Sequence, residues 1–281
     1  MNPSVLSLFL SVLVLPAVFK YDNVMASLKV GVIAHMINTP NAVRWALNQG
    51  ANGIEIDLMF EGTRPSVFYH RFPCDCNCLL QFLTNRHNRC GALGEGCSAS
   101  TNVTEMAGFL GSSEVVSSRL ALIYIDAKLD KSVRNYAEAG ANVVRLFNEP
   151  VFARGALQEA TRSNYTDRYF YTIENEGDHA YKVLDDSLQL PTNNIVYSTG
   201  ITACLPIVFT VLSETVSRKK NAAVGIWTVD QEYSMRSYLD IGVDFILTNR
   251  PKRAVKLIGS DKIPLPGSAF KDCGTEGSFH L

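Results

Sequence analysis

The chain has 281 residues, a formal net charge of −1 at neutral pH and 47% apolar residues. That length suits one (β/α)8 barrel of roughly 250 residues, and no Pro-, Gly- or Ser-rich linker splits it into two domains. The near-zero charge argues against a nucleic acid or another long polyanion as partner.

Residues Val5 to Val18 are almost wholly apolar. The run is shorter than the ~20 residues of a membrane-spanning helix, and it reads as an export leader ending at Val24-Met25-Ala26. This makes 1–26 a signal peptide and 27–281 one extracellular domain. No Lys or Arg precedes the run, so a buried N-terminal helix or strand is the competing reading. No later segment is long and apolar enough to cross a bilayer.

From residue 29 the chain alternates β-branched runs with helix-like stretches. Strands are expected at 29–35, 53–60, 66–70, 120–128, 169–174, 194–199, 223–229 and 245–249. Helices are expected at 41–49, stopped by Gly50, at 131–147, and at 231–241 between an Asp230 cap and Gly242. Such alternation predicts a parallel sheet with helices outside, and a closed barrel accounts best for the polar residues at the strand ends. The first run ends at His35, the second carries Glu55 and Asp57, the third ends at His70, and the fourth delivers Asp126 and Lys128. Glu55 and Asp57 are two apart, so on a strand they face the same way and one divalent ion could bridge them. Imidazoles beside such a cation are suited to proton transfer or attack.

Residues 71–119 show little periodicity and hold five of the seven cysteines, Cys74, Cys76, Cys78, Cys90 and Cys97. Their spacing lacks the paired C-x-x-C of a zinc ribbon, and disulfides fit an exported chain better. The segment reads as a disulfide-tied loop over the barrel mouth. Asn102 and Asn164 head permissible glycosylation sequons. The run Arg218-Lys219-Lys220 reads as an exposed helix end.

The order IAHMINT, GANGIEIDLMF, FYH-x-x-PCDC and YIDAK, followed by GITACL, WTVD and IGVDFILTNRP, resembles the sphingomyelinase D/phospholipase D toxins of spider venoms over roughly residues 29–258. The resemblance implies a (β/α)8 barrel of the phospholipase C-like phosphodiesterase type, binding one Mg²⁺ at its mouth. It implies cleavage of the headgroup from sphingomyelin and from lysophospholipids such as lysophosphatidylcholine, with a cyclic phosphate as product where the substrate's own hydroxyl attacks. Carried over, His35 and His70 would be the catalytic imidazoles, and Glu55, Asp57 and Asp126 the metal ligands. Lys128 and Trp227 would line the substrate site, and Asp75 and Asn249 would support it. Cys76 would pair with Cys204, and Cys74 would close a small loop with Cys78 or Cys90.

Several positions depart from that pattern. Arg71 and Phe72 follow His70 where glycine is usual. Gly225 and Ile226 replace a tyrosine pair before Trp227, Lys252 replaces an aspartate, and Thr199 replaces another. The stretch between Asp126 and Cys204 is shorter than usual by roughly one small unit. A glycerophosphodiester phosphodiesterase is the competing enzyme, although Met36 and Ile37 stand where that group carries arginine and glycine. A catalytically silent lipid- or glycan-binding relative is the third reading, motivated by Arg71, Gly225 and Ile226.

Overall fold

The computed structural model describes residues 9–12, 29–70, 99–129, 133–148, 169–173, 195–200, 212–213, 216 and 223–265. Strands β1 (Phe9–Val12), β2 (Gly31–Ala34) and β3 (Gly53–Glu61) come first, with helix α1 (Pro40–Asn48) between the last two. Next are β4 (Arg64–Tyr69), β5 (Ser100–Asn102), α2 (Val103–Leu110), α3 (Ser113–Val116), β6 (Leu122–Lys128) and α4 (Tyr136–Asn148). Then follow β7 (Tyr169–Ile173), β8 (Ile195–Thr199), β9 (Ala223–Ile226), α5 (Glu232–Asp240), β10 (Phe245–Thr248) and α6 (Pro251–Ile258).

Eight of the strands close a ring in the order β2-β3-β6-β1-β7-β8-β9-β10, with β10 returning to β2. Seven run parallel, joined by the β2–β3, β3–β6, β7–β8, β8–β9, β9–β10 and β10–β2 ladders. The eighth is β1, antiparallel to both neighbours, with Leu10 opposite Ile125 and Tyr171. The expected (β/α)8 ring is therefore present with one strand reversed. The apolar run that reads as a leader supplies Phe9–Val12 to it, where the chain between Asp126 and Cys204 is short. The physical reason is that two facing strand edges leave rows of N–H and C=O groups, which an extended segment satisfies.

β4 is the second departure. It pairs antiparallel with β3 outside the ring, around a turn at Gly62-Thr63 with Gly62 at φ 61°. A parallel neighbour would need a crossover of a dozen residues, so this short link makes a hairpin. His70 thus reaches the mouth on a hairpin arm and not at the end of a ring strand. Within the segment expected to lack periodicity, α2 and α3 are helical, and the Asn102 carboxamide caps α2 by accepting from Thr104 N at 2.8 Å.

Alternation along the ring strands makes two cores. Outward residues such as Val32, Ile54, Ile56, Ile123 and Ile246 pack under the helices. Inward residues Ile33, Leu122, Tyr124, Val196, Phe245 and Leu247 fill the barrel. Trp45 on α1 packs against the outer core, as expected of a helix facing the sheet. Helix α1 is capped by Thr39, whose hydroxyl accepts from Ala42 N, and it ends before Gly50 at φ 89°. Helix α4 starts at Tyr136, later than the expected 131, because residues 133–135 are not helical.

Candidate active site

His35 leaves β2 at the mouth, with its backbone N–H donating to Thr248 O at 3.1 Å. Its ring is buried, and Nδ1 lies 3.0 Å from Asn249 Oδ1. The orientation of that amide is settled by Asp230. The Asp230 carboxylate accepts from Asn249 Nδ2 at 2.9 Å, Asn249 N at 2.8 Å and Thr248 Oγ1 at 3.0 Å. Asn249 therefore turns its oxygen to the imidazole, the proton sits on Nδ1, and Nε2 carries the lone pair. Asp230 is not the helix cap its position implies. The N-cap of α5 is Gln231, without a side-chain cap bond, because the Asp230 carboxylate is engaged across the mouth.

Glu55, Asp57 and Asp126 converge beside His35. One ligand atom from each lies within 4.8 Å of the others, and no other such group occurs among the described residues. Asp57 and Asp126 are register partners on β3 and β6, while Glu55 is one inward position lower. Two residues that sequence reasoning missed orient them. Met36 adopts a left-handed φ of 57° and donates its N–H to Glu55 Oε2 at 2.6 Å. Such a conformation costs about 1–3 kcal/mol in a non-glycine residue, so packing must hold it. Asn38 is buried and clamps Asp57 twice, from Nδ2 to Oδ2 at 2.7 Å and by accepting Asp57 N at 2.8 Å. The available signal was the polar Asn38 following the apolar run that ends at His35.

Among the described residues the second oxygen of Asp57 has no hydrogen-bond partner, and it faces Lys128 Nζ at 3.0 Å. Lys128 also donates to Asp126 Oδ2. A buried carboxylate oxygen turned into a three-carboxylate cluster that already embraces an ammonium fits a hard divalent cation. Burial, then the charges of Asp57 and Asp126, hold the Glu55 carboxyl well above the usual range. Burial lifts Asp126 to about 6 against the pull of Lys128. Burial would lower the Lys128 ammonium, but Asp57, Asp126 and Glu55 outweigh it and raise it, so it stays charged.

His70 faces the cluster from the β4 side, with Nε2 4.0 Å from Asp57 Oδ1. His35 Nε2 is 3.9 Å from Glu55 Oε2. Trp227 packs on the inner core, half-buried, and its Nε1 has no partner among the described residues. At Gly225, where the resemblance leads one to expect a tyrosine, an added Cβ would lie 1.9 Å from Phe245 Cε2. Phe245 therefore occupies that space, tilted against Tyr124 with centroids 6.5 Å apart. Asp75, Arg71, Cys74, Cys76, Cys78, Cys204 and Asn164 lie outside the described residues, as do residues 71–98 of the expected mouth loop, with its five cysteines and the expected disulfides.

A family model described as dermonecrotic toxin SPH matches residues 29–164 and 175–264. Among curated proteins, "Dermonecrotic toxin SpeSicTox-betaIB3" of Sicarius peruensis is 28% identical, over 82% of this chain and 94% of its own. "Dermonecrotic toxin LiSicTox-betaIA1i" of Loxosceles intermedia is 27% identical, over 80% of this chain and 82% of its own. An Oleispira antarctica phosphodiesterase, solved with its product sn-glycerol-3-phosphate, superposes with a TM-score of 0.50. It covers 82% of this chain and 97% of that one at 14% identity. A glycerophosphoryl diester phosphodiesterase-type protein of Silicibacter pomeroyi gives 0.51, with 85% and 96% covered at 13% identity. These two likenesses concern the barrel fold alone. The matched stretches carry both histidines, the three carboxylates, Lys128 and Asn249, and the chain belongs to the dermonecrotic toxin SPH family.

Proposed function

We propose that the protein is an extracellular, Mg²⁺-dependent phospholipase D-type enzyme. It cleaves the headgroup phosphodiester of choline-type phospholipids, sphingomyelin and lysophosphatidylcholine among them. The observation that carries this reading is the chain Asp230–Asn249–His35, which leaves a fixed lone pair on Nε2 beside the Glu55–Asp57–Asp126 cluster. An imidazole held in one tautomer is suited to attack or to accept a proton at a phosphorus centre.

Glu55, Asp57 and Asp126 would hold the cation, which supplies Lewis-acid neutralisation of the phosphoryl oxygens. Lys128, charged throughout the neutral range, adds a second positive charge for the anionic species along the path. Asn38 and the Met36 N–H keep the carboxylates from turning away. His70, whose Nε2 is 4.0 Å from Asp57 Oδ1, would return a proton to the departing alcohol. Where a substrate hydroxyl lies next to the phosphate, attack by that hydroxyl yields a cyclic phosphate. Trp227 lines the substrate side.

The test is turnover of sphingomyelin and lysophosphatidylcholine vesicles with and without Mg²⁺, with phosphorus NMR reading the products, beside His35→Ala. Choline release that needs the metal and vanishes in the variant supports the reading. Release of glycerol phosphate from glycerophosphodiesters alone would assign the competing activity. Metal binding without turnover of either substrate would identify a silent relative.

A further inference from the structure

We propose that the rim of the mouth beside His35, built from Arg250, Lys252, Arg253 and Tyr233, is a docking surface for a phospholipid bilayer carrying anionic headgroups. This rests on the reading of the substrate as a membrane lipid. Residues 250–256, RPKRAVK, hold four cations and no acid, and Arg250, Lys252, Arg253 and Lys256 are all exposed. They begin immediately after Asn249, which touches His35. Arg253 Nη1 donates to the Asp230 carbonyl at 2.7 Å, so the first turn of α6 is pinned to the residue that orients Asn249. Glu232 faces this patch, and it is bonded to Arg236 at 2.6 Å. The first turns of α5 and α6 thus present an excess of positive charge next to the catalytic imidazole.

Tyr233 stands three residues after Asp230, 74% exposed, the most exposed of the large hydrophobic side chains among the described residues. A tyrosine combines an apolar ring with a polar tip and settles at the level of lipid headgroups. The charge selects the partner. A zwitterionic surface offers these cations no net attraction, whereas an anionic leaflet attracts each basic residue by roughly fivefold in partition. Three such residues are worth on the order of a hundredfold, decaying as salt shortens the screening length.

The test uses the full chain carrying His35→Ala, so that the vesicles are not consumed. Cosedimentation is measured with phosphatidylcholine vesicles and with vesicles in which phosphatidylserine replaces part of it, at low and raised salt. Binding should favour the anionic vesicles, weaken with salt, and drop more than about tenfold in Arg250→Glu/Lys252→Glu. Tyr233→Ser should weaken binding without changing its salt dependence. Equal binding to both vesicles, or binding indifferent to salt, overturns the proposal whether or not the double variant folds. So does preference for a soluble polyanion such as heparin over anionic vesicles. Turnover of a short-chain monodisperse substrate by the unsubstituted protein reads the active site separately. Its failure beside normal vesicle binding removes the enzymatic reading and leaves the surface. Normal turnover without vesicle preference removes the surface alone.

Discussion

Asp230→Asn tests the tautomer argument directly. In the native protein the carboxylate accepts three hydrogen bonds at 2.8 to 3.0 Å. The substitution keeps the shape but replaces one acceptor oxygen by a donor facing Asn249 Nδ2. The strain is relieved when the Asn249 amide turns over, which presents Nδ2 to His35 Nδ1. The imidazole must then accept at Nδ1 and carry its proton on Nε2, so the lone pair leaves the cluster side. Trading charged for neutral hydrogen bonds costs about 1–2 kcal/mol of stability. The catalytic loss is larger, because a positioned acid or base is worth about 10²–10⁴ in rate. Turnover should fall at least about a hundredfold at full Mg²⁺ saturation. Nitrogen–proton correlation of the imidazole should show the proton on Nδ1 in the native protein and on Nε2 in the variant. An unchanged tautomer with unchanged turnover would refute the relay, and Asn249→Ala, which removes the acceptor outright, provides the comparison.

Three further outcomes follow from the geometry. The folded-state value of Asp126, about 6, lies above its ordinary value of 3.8, so the folded metal-free protein holds that proton longer than the unfolded chain. Its stability should therefore fall as pH rises from about 4 to about 6, by on the order of 3 kcal/mol. Divalent-ion affinity should rise over the same window with proton release, and calorimetry showing no pH dependence would contradict this. Gly225→Ala should cost about 1–3 kcal/mol or more by thermal unfolding, because its Cβ meets the Phe245 ring. Phe245→Leu in the same chain should recover part of the loss, and strict additivity of the two would refute the coupling. A chain beginning at Ser27 lacks β1, so those amides among Ile123, Tyr124 and Ile125 that point toward β1, alternate ones along β6, should exchange faster than in the full chain. Identical exchange would mean that the β1 ladder does not protect them.

Much of the fold was legible because its signals are local. β-branched runs located the seven parallel ring strands to within a few residues, though not β1, whose apolar run reads as a leader, and Gly50 and Gly242 marked helix ends through their left-handed backbone at φ 89° and 84°. The E-x-D spacing placed Glu55 and Asp57 on one face of β3, and the fourth apolar run located Asp126 and Lys128 on β6. The order of these segments was enough for the family resemblance. The parallel sense of seven ring strands followed from the strand–helix alternation, but the sense and pairing of β1 and β4 were not legible, since a strand of either sense reads alike. The reversed β1 and the β3–β4 hairpin depend on which edges stand open and on how many residues remain to cross over.

The chemistry divides along the same line. Residue types and spacing by themselves determined that three carboxylates and a lysine fall on strand runs and two imidazoles just after them. Only the tertiary structure decided what those groups can do. The Nδ1 proton of His35 depends on Asn249 and Asp230, more than 190 residues away in sequence, and Asp57 depends on a clamp by Asn38. The same holds for Phe245, whose ring takes the space over Gly225 only because β9 and β10 pair in that register. Hydrogen-bond direction, burial and charge proximity are properties of distance, and for residues so far apart in the chain distance exists only once the barrel has closed.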